Sequence, residues 1–121
     1  MKRILVTEDS ATMRSLLIAT IESGGDYEVV EASSGFEALR LLPREHVDLI
    51  ITDINMPDIN GLELIRYVRN NDNYTKIPLF IISTEGREKD VEKGLALGAD
   101  EYLVKPIDPA RLQVLIDKYI G

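Results

Sequence analysis

Apolar residues follow two alternating rhythms along the chain. Ile4-Leu5-Val6, Leu49-Ile50-Ile51 and Leu79-Phe80-Ile81-Ile82 are short runs without a polar break, rich in β-branched residues. Such runs read as strands buried on both faces, the signature of a parallel sheet. Between them the spacing changes to threes and fours: Met13, Leu16, Leu17 and Ile21 form one helical stripe, and Leu112, Leu115, Ile116 and Tyr119 another. The alternation predicts five strand–helix units, with strands over residues 3–7, 27–32, 48–52, 79–83 and 101–104. The second, Tyr27-Glu28-Val29-Val30-Glu31-Ala32, alternates apolar with polar and is placed toward an edge.

Helix ends carry their own chemistry. Gly24-Gly25 predicts a left-handed stop for the first helix. Ser34 and Glu37 make a capping-box pair for the second, which Pro43 terminates. The third is expected over about residues 61–70 behind an Asn60 cap, and the fourth carries Val91 and Leu95 before a stop at Gly98. Asp108 and Pro109 open the fifth as cap and first residue. These units consume nearly the whole chain, so residues 1–121 are read as one domain without linker or repeat.

Composition narrows the functional classes. A chain of 121 residues with 45% hydrophobic and 29% charged side chains builds one soluble core. It has no run of the roughly 20 apolar residues a membrane helix needs. Only Ile4, Leu5 and Val6 separate Met1-Lys2-Arg3 from Thr7-Glu8-Asp9, too few for a signal peptide, so a cytoplasmic location is expected. The absence of cysteine excludes disulfides, thiolate catalysis and iron–sulfur clusters. His46 is the one histidine and reads as a solvated loop residue without a partner. A net charge of −7 has the wrong sign for nucleic acid or an anionic membrane, and suits a divalent cation or a basic protein surface.

Ligands of open parallel sheets bind at the carboxyl ends of the strands. The residues falling there are Glu8-Asp9, Asp53, Ser83-Thr84 and Lys105-Pro106. Crowded carboxylates need a counter-charge, and an all-oxygen donor set favours magnesium. The Lys105 ammonium and the Ser83 hydroxyl suit two oxygens of a phosphoryl group, so the set describes a phosphoryl-transfer site. Each residue alone has an ordinary explanation: helix-start acids for Glu8-Asp9, turn chemistry for Asp53, a buried hydroxyl for Ser83 and a snorkelling lysine for Lys105. Their joint arrival at strand ends favours the site.

In this order the residues resemble the receiver domains of response regulators over essentially the whole length. The resemblance rests on Glu8-Asp9, on Asp53-Ile54-Asn55-Met56-Pro57 with Gly61, and on Ser83. It is completed by Ala96-Leu97-Gly98-Ala99 leading into Tyr102-Leu103-Val104-Lys105-Pro106. It implies an α/β, flavodoxin-like (βα)5 fold with strand order 2-1-3-4-5, helices on both faces and a cis Lys105–Pro106 bond. Asp53 would be the phospho-acceptor, taking its phosphoryl group from a sensor histidine kinase or from acetyl phosphate. Asp9, Asp53 and the Asn55 backbone carbonyl would hold Mg2+, with Glu8 reaching it directly or through water. Lys105 and Ser83 would grip the phosphate, and Ser83 and Tyr102 would switch the face formed by helix 4, strand 5 and helix 5.

The resemblance further implies a signalling protein rather than an enzyme proper, one that promotes its own phosphorylation and dephosphorylation. Its downstream partner would be a protein such as the flagellar motor switch, a phosphatase could act on it, and it would be a monomer or weak dimer. Asn55 and Glu85 match the chemotaxis members, where these positions set phosphate lifetime. Ser83 stands where threonine is commoner and leaves the hydroxyl freer in χ1, while Thr84 replaces a frequent alanine and narrows access. A haloacid-dehalogenase-like phosphatase would need a second aspartate at Asn55, a flavin carrier would place phosphate against Glu8 and Asp9, and a purely structural module predicts no phosphorylation.

Overall fold

A computed structural model describes residues 1–121. Five strands, β1 (Lys2–Thr7), β2 (Tyr27–Ala32), β3 (Leu49–Asp53), β4 (Leu79–Ser83) and β5 (Glu101–Val104), alternate with five helices. The helices are α1 (Ala11–Gly24), α2 (Gly35–Leu41), α3 (Gly61–Asn70), α4 (Glu88–Leu97) and α5 (Pro109–Ile120). All strand pairs are parallel and the order is β2-β1-β3-β4-β5, with the alternating strand at an edge as its sequence indicates.

The pleat divides the strand side chains between two cores. Ile4, Val6, Leu49, Ile51, Phe80 and Ile82 face α1 and α5, where they meet Leu17, Ile21, Leu112, Leu115 and Ile116. Leu5, Ile50, Leu79 and Ile81 face the other way, onto Ala38 of α2 and Leu64, Ile65 and Val68 of α3. Every residue of β3 and β4 is buried, which is why neither run alternates in sequence.

Four of the helices have side-chain caps, three of them where the sequence places them and the fourth, Ser10, without a forecast. Ser10, Ser34, Asn60 and Asp108 accept N–H bonds from Met13, Glu37, Glu63 and Ala110. At α4 the Arg87 cap position makes no such bond. Gly98 closes α4 with φ 119°, a left-handed turn that a β-carbon would strain.

Three details differ from expectation. The stop after α1 is extended rather than left-handed, with Gly25 at φ 167°. Leu16 and Leu95 are 58% and 43% exposed, because α1 buries only the arc through Leu17 and Ile21 and α4 buries only Gly94. His46 is exposed, yet its Nε2 lies 3.0 Å from Asp48 Oδ1, whose other oxygen accepts the Arg3 N–H. The Lys105–Pro106 bond is cis, as the resemblance implies. No helix is long and apolar enough to cross a membrane.

Candidate functional site

The pleat that sorts the cores also sorts the polar strand ends. Glu8 continues the alternation of Ile4 and Val6, Asp53 that of Leu49 and Ile51, and Lys105 that of Leu103, so all three belong to the α1/α5 side. Lys105 Nζ lies 2.8 Å from both Glu8 Oε1 and Asp53 Oδ2. Glu8 and Asp53 are buried, and the lysine stem is 13% exposed. Asp9, one residue on, stands exposed at the rim. One carboxylate oxygen from each of Glu8, Asp9 and Asp53 lies within 4.8 Å of the others.

Burial raises the Glu8 pKa above the ordinary carboxylate value, although its bonds from Lys105 and the Ser10 N–H offset part of the effect. Burial also works against the Lys105 ammonium, but bonds to Asp53 and Glu8 outweigh it and hold the lysine above its usual value. Three carboxylates against one ammonium leave a deficit of two charges at the rim. The donor set is all hard oxygen and includes one exposed acid able to turn, which fits a divalent cation of the magnesium type. Both oxygens of Glu8 have partners, Lys105 and the Ser10 N–H, and so do both oxygens of Asp53, Lys105 and the Asn55 N–H, which leaves the exposed Asp9 as the freest carboxylate of the three.

Ser83 and Tyr102 fall on the opposite pleat, in line with Ile81 and facing α4. Neither hydroxyl is hydrogen-bonded to the carboxylate cluster. The fully buried Ser83 hydroxyl accepts the Glu85 N–H at 3.0 Å, and the Tyr102 hydroxyl donates to the Glu85 carbonyl at 2.5 Å. The Glu85 peptide therefore joins the two residues. Burial raises the Tyr102 pKa, and its half-buried ring packs where a β-carbon on Gly94 would lie 3.1 Å away. Asn55 Nδ2 reaches Glu85 Oε1 at 3.4 Å, and the Asn55 N–H donates to Asp53 Oδ1 at 3.2 Å. Thr84 is exposed beside them.

Sequence reasoning gave no role to Arg14 or Asp58. The Arg14 guanidinium donates to the Glu8 carbonyl at 2.7 Å and pairs with Glu31 at 3.1 Å, tying the acid pair to β2. An arginine one turn into the helix after Glu8-Asp9 was the available signal. The Asp58 carboxylate accepts the Gly35 and Phe36 N–H groups at 3.0 and 2.9 Å. Nothing local to Pro57-Asp58 announces that contact across 23 residues.

A flavodoxin-like sheet in this order, with an acid pair, a strand-end aspartate and a lysine at its rim, is the arrangement of receiver domains. The chain belongs to the response regulator receiver domain family, which it matches over residues 4–117. It is 39% identical over 120 residues to a chemotaxis protein CheY homolog of Campylobacter jejuni, covering 98% of this chain and 92% of that protein. The solved structure of chemotaxis response regulator CheY4 of Vibrio cholerae superposes with a TM-score of 0.90 at 33% identity, covering 99% of both chains. The receiver domain of sensor histidine kinase PA1611 from Pseudomonas aeruginosa, described with a magnesium ion coordinated in its active site cleft, gives a TM-score of 0.89 at 29% identity, covering 99% of this chain and 98% of that one. The chain is thus a CheY-like receiver domain of two-component signalling.

Proposed function

We propose that the chain is a phosphorylation-controlled switch in which Asp53 accepts a phosphoryl group from a sensor histidine kinase in a magnesium-dependent reaction. The observation that carries this reading is the buried Glu8–Lys105–Asp53 cluster with the exposed Asp9 beside it. Asp9, Asp53 and the Asn55 carbonyl would hold the ion, with Glu8 in contact through water. When bound, magnesium supplies neutralisation of the charge that develops on the transferring phosphoryl oxygens.

This chain's own groups do the rest. An Asp53 carboxylate oxygen attacks phosphorus, the bond from phosphorus to the donor breaks, and the donor leaves with its electron pair, giving an aspartyl phosphate. Lys105 already bonds Asp53 Oδ2, and its ammonium is placed to follow the negative charge onto a phosphoryl oxygen. Ser83 reaches a second oxygen by releasing the Glu85 N–H, and this disturbs the peptide that Tyr102 holds. Occupancy at Asp53 thereby biases the surface of α4, β5 and α5, where a downstream protein would dock. Asn55 and Glu85 meet at the mouth and would set how readily water or a phosphatase reaches the phosphate. The protein so described acts in the cytoplasm and is not an enzyme acting on a separate substrate.

Acetyl phosphate with magnesium tests this reading. Intact-mass spectrometry is expected to show one phosphoryl group per chain, lost in base or hydroxylamine and not formed in excess EDTA. No labelling, or labelling that survives base, would overturn it.

A further inference from the structure

The loop of residues 54–60 carries the Asn55 carbonyl proposed as a metal ligand. It is fixed at its start by the Asn55 N–H on Asp53 and at its end by the Gly61 N–H on the Ile54 carbonyl, at 2.8 Å. Its middle is held by nothing from β3 or α3. There Asp58 reaches sideways to α2, each carboxylate oxygen accepting one backbone N–H, from Gly35 and from Phe36. Gly35 is buried against the same loop, and a β-carbon there would sit 2.5 Å from the Ile59 carbonyl oxygen. Two independent contacts therefore seat the loop on α2, a helix that contributes no residue to the carboxylate cluster. The Phe36 N–H above all, with those of Ile59 and Gly35, draws the Asp58 pKa down to about 2, so the carboxylate is charged at neutral pH.

We infer that Asp58 is a positioning residue for the metal site: by bridging to the Gly35 and Phe36 N–H groups it holds residues 54–60 so that the Asn55 carbonyl and Asp53 face one ion together. The inference rests on the magnesium-dependent reading above and extends it to a residue that touches neither metal nor phosphate. Residues that orient metal ligands from behind change metal affinity by about tenfold or more when removed. Asp58 acts through backbone alone, so its loss lowers affinity while leaving the nucleophile and Lys105 in place.

The test compares wild type with Asp58→Ala, Asp58→Asn and Ser34→Ala, the last removing the side-chain cap of α2 without touching the loop. Magnesium binding is read by calorimetry and by the amide shifts of Asn55 and Met56. The magnesium dependence of labelling by acetyl phosphate is read in parallel. Asp58→Ala is expected to raise the half-saturating magnesium about tenfold while the labelling rate at saturation stays within about twofold. Asp58→Asn keeps one acceptor oxygen and is expected to fall between, whereas Ser34→Ala stays at the wild-type value.

Unchanged affinity in Asp58→Ala overturns the inference. An equal loss in Ser34→Ala does so too, because the effect would then belong to the stability of α2. Identical losses in Asp58→Asn and Asp58→Ala would assign the effect to the missing charge and overturn it as well. Should wild type bind magnesium without being labelled, the proposed function fails, while calorimetry still decides the role of Asp58.

Discussion

Two loops meet at the mouth of the site, and they are held in opposite ways. Residues 54–60, after β3, are closed by the Gly61 N–H, capped into α3 by Asn60 and bridged to α2 by Asp58. Residues 84–87, after β4, are exposed throughout and lead into a helix without a side-chain cap. Ahead of Arg87, whose carbonyl accepts the first N–H groups of α4, their fixed points are the bonds of the Glu85 N–H to Ser83 and of the Glu85 carbonyl to Tyr102, and the Glu85 side chain adds only the long contact with Asn55. In the proposed function the first loop would present ligands that must keep their geometry. In the same proposal the second would give way when one hydroxyl changes partner, and segments that switch are drawn from such weakly held parts of a fold.

The largest effect is expected beneath the rigid loop. Lys105→Ala leaves Glu8 buried without its cation and is expected to lower stability by about 3 kcal/mol at pH 7 in urea unfolding. Burial already lifts Glu8, so the unpaired carboxyl takes a proton on acidification, and the deficit narrows as pH falls. A deficit independent of pH would contradict this.

Glycine substitutions compare the loops directly. A β-carbon on Gly61 would lie 2.9 Å from the Ile54 Cα and closer still to the Asp53 carbonyl oxygen, backbone that cannot move without displacing Asp53. Gly61→Ala is expected to lower stability by about 2 kcal/mol and to slow labelling. On Gly86 the nearest atom is a methyl of Val104 at 3.0 Å, and Gly86→Ala is expected to stay within about 0.5 kcal/mol. Equal effects would erase the distinction between the loops.

A smaller effect runs in the stabilising direction. Arg87→Ser supplies α4 with the cap it lacks, at the cost of an exposed Arg87–Asp90 pair, and is expected to add about 0.5 kcal/mol. Hydrogen exchange at residues 84–90 should slow while that at residues 54–60 stays unchanged. The smallest effect is on acidification. Because the folded Asp58 pKa is lowered from 3.8 to about 2, its bridge is fully present above pH ~4 and is lost as pH falls through about 2. The Gly35 and Phe36 amide resonances should titrate together in that window.

The sequence made the strands and the strand-end chemistry legible for one reason. A parallel strand buried on both faces is an unbroken apolar run, so the first polar residue after it marks the rim. Ser83 stands out in this way after β4, while Glu8 and Asp53 come one residue later, behind Thr7 and Thr52, and Lys105 is the first charged residue after Tyr102-Leu103-Val104. The division between Glu8–Asp53–Lys105 and Ser83–Tyr102 was also implicit, because it follows from counting alternate residues along each strand. Contacts between distant segments were not legible: Asp58 looks like an ordinary turn residue until α2 is folded against it. Leu16 and Leu95 show a second limit. Neighbouring helix positions differ by about 100°, so a stripe of apolar residues does not say where the buried arc ends.

The identity of the nucleophile is tested most directly by trapping it. Borohydride reduces an aspartyl phosphate to homoserine, so the protein is labelled with acetyl phosphate and magnesium, reduced, digested and mapped by mass spectrometry. Homoserine at position 53 is expected, disappearing in Asp53→Asn. Homoserine at position 9, or none at any carboxylate, would contradict the assignment of Asp53 as the phospho-acceptor.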